Sequence, residues 1–338
     1  MSETLGDISV PLQLKTEDSV NGNLANREDF VDKKQTEMLK ELPASLTKCP
    51  TNGDGQAHPV VEAGIPEVEY VESEKLKDVN DVNLTLETLL AGLDSKEWLI
   101  VCEALNNVRR LSVYHKEAML DMLGNMILLV VKSLKNPRSA VCKTAIMTSS
   151  DIFKAYGDDI IDSMDPLLVQ LLLKASQDKR FVCEAAERAL ITMTASVSPT
   201  LLLPKLQPHL KHRNPRIRAK ASTCYSRSVP RLGVEGIRAY GIDKLIQTGA
   251  LQLSDQLPES REAARVLLLE LQTVYEKSPF LRSPAEDTET ISEGTEASLE
   301  DIETISWEQF CQSNLSPLSA QAVLRVTNIA REGLVVGS

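Results

Sequence analysis

The sequence lacks long apolar runs, metal-ligand clusters and nucleotide-binding signatures, and each absence narrows what the chain can do. Its longest apolar run is Met126 to Val131, far short of the roughly 20 residues a membrane-spanning helix needs. There are four histidines, His58, His115, His209 and His212. Only the last two are close in sequence, and no cysteine or carboxylate cluster accompanies them, so no metal site is expected. No G-x-x-x-x-G-K-[ST] loop, no G-x-G-x-x-G after a strand and no nucleophile elbow occurs, which points away from nucleotide cofactors and covalent catalysis. The expectation is a protein that is not an enzyme and needs no cofactor. The first residues, Met1 to Asp7, lack the basic and apolar regions of a secretory signal. The 338 residues contain six cysteines. Three occupy equivalent positions described below, where a small buried residue fits, so free thiols in a reducing compartment are expected.

Charge is present but unevenly spread. The chain has 48 acidic and 37 basic residues, a net of −11. Residues 1–78 carry 16 acids and 8 bases, and residues 281–338 carry 10 acids and 3 bases. Residues 79–280 reverse the balance, with 22 acids and 26 bases. A mildly basic domain between acidic flanks suits an acidic partner.

What the middle does have is a repeat. Val-Cys recurs at Val101-Cys102, Val141-Cys142 and Val182-Cys183, and the same slot returns as Ile217-Arg218 and Ser260-Arg261. Each follows a polar turn with Asp or Asn near its start: Asp94, Asn136, Asp178, Asn214 and Asp255. A period of about 40 residues built from two helices is the mark of HEAT or armadillo units, which stack into a solenoid that binds macromolecules along an edge or groove. The fold class expected is all-α, a solenoid of about five helix pairs with disordered acidic tails. Helical spacing predicts pairs over 81–93 and 95–111, 116–134 and 138–156, 160–175 and 179–196, 199–211 and 215–230, and 242–253 and 259–278. Pro137 and Pro215 follow Asn at helix starts, where a missing N–H costs nothing. The glycine-bearing stretch Arg231–Gly241 reads as a connector. Outside the array, residues 1–78 read as disordered apart from a short helix near Asn26–Leu42. Residues 281–303 read as an acidic linker, and residues 304–338 as a short helical segment.

The turns inside the pairs line up along one edge of such a stack. The second to fifth offer Lys or Arg, the first offers Trp98, and the fourth is the most cationic, with Lys211, Arg213, Arg216, Arg218 and Lys220. This ordered set resembles the TOG domain, the tubulin-binding HEAT array of the CLASP and crescerin families. TOG domains show Trp in the first turn, Val in the second, Lys in the third, Asn with a following Arg in the fourth and Arg or Lys in the fifth. Trp98, Val141, Lys179, Asn214 with Arg216 or Arg218, and Arg261 stand at those places. The resemblance covers about 200 residues. It implies a tubulin- or microtubule-binding edge formed by Trp98, Arg138, Val141, Lys179, Arg180, Arg213, Asn214, Arg216, Arg218 and Arg261, and a cytoplasmic, cytoskeleton-associated protein that regulates microtubule dynamics or organisation. Any nucleotide would belong to tubulin. Two features depart from the pattern: Leu99, Ile100 and Val101 follow the Trp where a basic residue is frequent, and a sixth repeat could come only from residues 304–336.

Two other readings are set beside it. A HEAT or armadillo adaptor would hold a different protein in its concave face, on the second helices of the pairs. Nucleic-acid binding through the basic stretch 209–220 is disfavoured by the acidic tails.

Overall fold

Each repeat folds into two helices because its apolar residues recur every three or four positions, so that neither helix can bury its stripe except against its partner and the next pair. The computed structural model describes residues 70–282 and 305–335. The expected helix near Asn26–Leu42 and most of the acidic linker lie outside these residues. All regular structure among the described residues is helical. The pairs are α1 (Val82–Leu93) with α2 (Trp98–Tyr114), α3 (Leu123–Leu134) with α4 (Ser139–Tyr156), α5 (Met164–Lys174) with α6 (Arg180–Ser196), and α7 (Pro199–Leu206) with α8 (Pro215–Ser228). Then come α9 (Gly233–Tyr240), the pair α10 (Ile242–Leu253) with α11 (Pro258–Lys277), and α12 (Trp307–Asn314) with α13 (Pro317–Val335).

Second helices stack on second helices in the order α2, α4, α6, α8, α11, while α1 packs on α3 and α3 on α5 in the other layer. The repeated slot explains the register. Val101, Val141, Val182 and Ile217 point into the seam between layers and are 6%, 0%, 3% and 3% exposed. Burying one such side chain contributes about 1.5–3 kcal/mol. In the second to fifth pairs the next residue is a donor that closes the turn before it. The Cys142 and Cys183 thiols reach the Leu134 and Ala175 carbonyls at 3.4 and 3.0 Å. Arg218 donates to the His212 and Arg213 carbonyls at 2.9 and 3.3 Å, and Arg261 to those of Asp255 and Gln256 at 2.8 and 2.9 Å. Cys and Arg thus do one job in one position. The five cysteines described are unpaired, and burial raises their thiols; Cys224 and Cys311 are pushed up to about 12.

Three details differ from the sequence reading. The helices expected to begin at 116 and 160 start later, after 3₁₀ turns at Lys116–Met122 and Gly157–Ser163. The helix expected over 199–211 tightens into a 3₁₀ turn at Gln207, where Pro208 has no N–H to continue an α-helix. The expected connector 231–241 contains the helix α9, bracketed by Gly233 at φ 67° and Gly241 at φ 98°. These left-handed residues break the chain on both sides, and Ile237, fully buried, anchors the turn between them.

The described helices belong to one compact unit, Ile65–Ser338, which extends past both expected limits of the repeat domain. Residues 70–76 lie across α2 and α4. Tyr114 donates to the Leu76 carbonyl at 2.7 Å, Arg109 donates to the Val71 carbonyl at 2.7 Å, and the Lys143 ammonium sits 3.8 Å from the Tyr70 ring centroid. At the other end α12 and α13 add a sixth pair, with α13 packed on α10 and α11. Tyr275, Trp307 and Phe310 form its aromatic joint, with ring centroids 4.8 to 6.0 Å apart.

Candidate interaction edge

The turns between first and second helices are short because their polar residues fold back on the next backbone N–H groups. Ser95, Asn136, Asn214 and Asp255 each accept from the N–H two residues on, at 2.9 to 3.1 Å. In the first turn this acceptor is Ser95, and Asp94 is left to pair with Lys132 at 2.5 Å. Other bonds run from one turn to the next. The Arg138 guanidinium lies 4.7 Å over the Trp98 ring, joining turns one and two. Arg216 pairs with Asp178 at 2.6 Å, joining turns four and three, and Arg218 with Asp255 at 2.6 Å, joining turns four and five. Lys220 bridges Glu187 and Glu259 at 2.8 and 3.3 Å. These contacts tie the first turn to the second, and the third, fourth and fifth to one another.

The ten residues expected on this edge divide by what they do. Trp98 is half-buried, with one part packed on the core and the rest open beside Arg138. Lys179 and Arg213 are exposed and make no ion pair with a described residue. Arg138 is exposed over its aromatic partner. Arg180 is open to solvent and holds only Glu184, one helical turn on, at 2.7 Å; exposed pairs of this kind are weak. Arg216 reaches its partner from an exposed position. Asn214 is exposed, but its side-chain oxygen caps α8 through the Arg216 N–H.

Three of the ten are less open than the rest. Val141 is 0% exposed, so it has no surface to offer; the repeat that makes the slot recognisable is the same repeat that buries it. Arg218 is part-buried against Asp255, whose side chain is 6% exposed, and three of its hydrogen bonds go to the array itself. Arg261 is half-buried and spends its guanidinium on its own turn's carbonyls. Both arginines brace the edge from behind.

The structure also puts apolar surface where a charge-led reading does not look. Leu99 and Ile100 are 42% and 50% exposed, and Phe181 is 45% exposed. The signal was available in register: Phe181 stands one residue before Val182 just as Ile100 stands one before Val101. The edge is thus mixed, with Trp98, Leu99 and Ile100 in the first pair, Phe181 beside Lys179 and Arg180 in the third, and Arg213 and Arg216 in the fourth. Exposed apolar groups interleaved with cations suit a protein surface better than a phosphate backbone. Among the described residues, no group of three or more His, Cys, Asp or Glu side chains is arranged to hold a metal ion.

Comparison with known proteins agrees with the fold. TOG array regulator of axonemal microtubules protein 1 from Homo sapiens is 27% identical over 159 residues, 47% of this chain, and its Mus musculus counterpart is 28% identical over 146 residues, 42% of this chain. The matched segments are 9% and 8% of the length of those two proteins. A solved structure from work on microtubule plus end tracking by XMAP215, CLIP-170 and EB1 superposes with a TM-score of 0.51 at 15% identity, covering 75% of this chain and 95% of that one. The family model described as CLASP N terminal matches residues 106–279, from the middle of α2 to the end of α11. That span is just over half of the sequence, and the chain belongs to the CLASP N-terminal family.

Proposed function

We propose that this chain binds αβ-tubulin or microtubules through the edge of its intra-pair turns and so regulates microtubule dynamics or organisation, in the cytoplasm at the cytoskeleton. The role is non-catalytic. The observation that carries it is the pairing of open apolar side chains (Trp98, Ile100, Phe181) with cations that no neighbouring acid holds firmly (Lys179, Arg180, Arg213) along one edge. Aromatic and arginine anchors of this kind carry most of the energy of protein interfaces. Family membership and the axonemal microtubule regulators that resemble the chain support the same partner. An adaptor reading that uses the second helices has less room. On α2 and α4 that face is covered by the chain's own residues 70–76, through bonds to Arg109, Tyr114 and Asp151.

The test is size-exclusion chromatography of the full chain with purified αβ-tubulin, wild type beside Trp98→Glu/Lys179→Glu. Co-elution of the wild type that the double variant loses, with its melting temperature kept, is the expected result. Absence of co-elution by the wild type at low salt overturns the proposal.

A further inference from the structure

Lysines on this array fall into two groups. Lys132, Lys154, Lys205 and Lys220 each find a carboxylate at least 33 residues away in sequence, Asp94, Glu74, Asp165 and Glu187 respectively, at 2.5 to 3.8 Å. They hold elements together. Lys135, Lys174 and Lys179 do not. All three line one groove of about 590 Å³ between the second and third turns, floored by Pro137, Cys142 and Val182. None of the three makes an ion pair with a described carboxylate. The acid in the groove wall, Asp178, is engaged by Arg216 at 2.6 Å. Three ammonium groups lining one groove beside a single carboxylate leave an excess of positive charge there, which an incoming anion would offset.

We propose that this groove is an acidic-peptide subsite: it receives carboxylate side chains of an extended acidic segment on the protein that docks at the edge. The inference rests on the tubulin-binding reading and adds to it the chemistry of one contact and the residues Lys135 and Lys174. The groove is open along its length and has an apolar floor. Its cations are lysines, compact mobile point charges that adapt to carboxylates spaced along an extended chain. A row of carboxylates on a peptide fits these features.

The experiment uses the full chain and a fluorescein-labelled oligo-glutamate peptide, read by anisotropy at low and at physiological salt. Wild type binds and weakens as salt screens the contact. Lys135→Gln/Lys174→Gln/Lys179→Gln loses about tenfold or more in affinity, Lys→Arg at the same positions keeps it, and Lys116→Gln/Lys244→Gln/Lys277→Gln, with the same loss of charge elsewhere, changes it little. Equal loss in both triple Gln variants overturns the subsite, because it would mean net charge alone governs binding; so does no binding by the wild type at low salt. A second arm keeps Lys179 and tests Lys135→Gln/Lys174→Gln in co-elution with tubulin. Weakened co-elution supports the assignment. If the double variant co-elutes as well as the wild type, the groove is not the contact, while the edge reading stands. Peptide bound in the groove by a wild type that retains no tubulin overturns the partner and spares the subsite chemistry.

Discussion

Arg109 and Asp151 form an ion pair at 2.7 Å with both side chains only 1% exposed, the one such pair buried on both sides among the described residues. It joins α2 to α4, and residues 70–76 complete it: Val71 takes a guanidinium N–H at 2.7 Å and the Ser73 hydroxyl donates to the other Asp151 oxygen at 2.5 Å. Asn106 accepts a third bond at 3.2 Å. A buried pair stabilises only if its remaining polar atoms are satisfied. Arg109→Ala should therefore cost about 3–5 kcal/mol, because it leaves Asp151 buried and unpaired. Arg109→Met/Asp151→Leu should recover most of that loss. A chain cut to begin at residue 79 should melt lower than one that begins at residue 65. Denaturant unfolding of these four proteins beside the wild type checks all three statements.

Trp98 and Arg138 come from adjacent turns and lie 4.7 Å apart, ring centroid to guanidinium. A cation over a partly exposed indole contributes about 0.5–1 kcal/mol or somewhat more. Trp98→Ala should cost about 2 kcal/mol or more in tubulin binding and less than that in folding, since the ring is only half-buried. A double-mutant cycle with Arg138→Ala, read by unfolding and by binding, separates the two contributions. A folding loss larger than the binding loss would make Trp98 a core residue.

Phe181 and Val141 should behave as opposites. Phe181 is open and Val141 is sealed. Phe181→Ser should leave stability within about 0.5 kcal/mol and weaken tubulin binding. Val141→Ala should cost roughly 2 kcal/mol of folding and leave binding unchanged where the protein is fully folded. Thermal melts beside co-elution decide it. Unaltered binding by the Phe181 variant would remove the third pair's aromatic from the interface.

The bond between Arg218 and Asp255 gives a pH signature. Burial alone would raise the Asp255 carboxyl, but the Arg218 guanidinium and the Leu257 N–H outweigh it and hold the group below its usual value. A carboxyl depressed in the folded state contributes stability above its ordinary value near pH 4, and loses it as pH falls through the lower folded value. Stability should therefore fall as pH drops below about 5, and Asp255→Asn should flatten that part of the curve while lowering stability at neutral pH. Denaturant midpoints against pH for the two proteins provide the check.

The sequence by itself determined the repeat, its two-helix unit and most helix limits, because the Val-Cys slot and the apolar stripe are local periodic facts that any stacked pair must satisfy. It also placed the turns in order, since a polar residue that bonds the N–H two positions on is a local device. Tertiary structure decided which residues of that pattern face out. Val141 and Phe181 are both apolar and both near a helix start, yet one residue of register sends the first into the seam and leaves the second on the edge. Arg213 and Arg218 sit in the same cationic run, but only Arg218 meets an acid from the next turn, Asp255, 37 positions away in the chain. The same holds for Lys135, Lys174 and Lys179, which nothing in the sequence sets apart and which line one groove because two turns of neighbouring pairs come together in space. Residues 70–76 and the final helix pair join the domain for that reason too: their partners, Arg109 and Tyr275, are distant in sequence, and no local pattern announces a contact made across the fold.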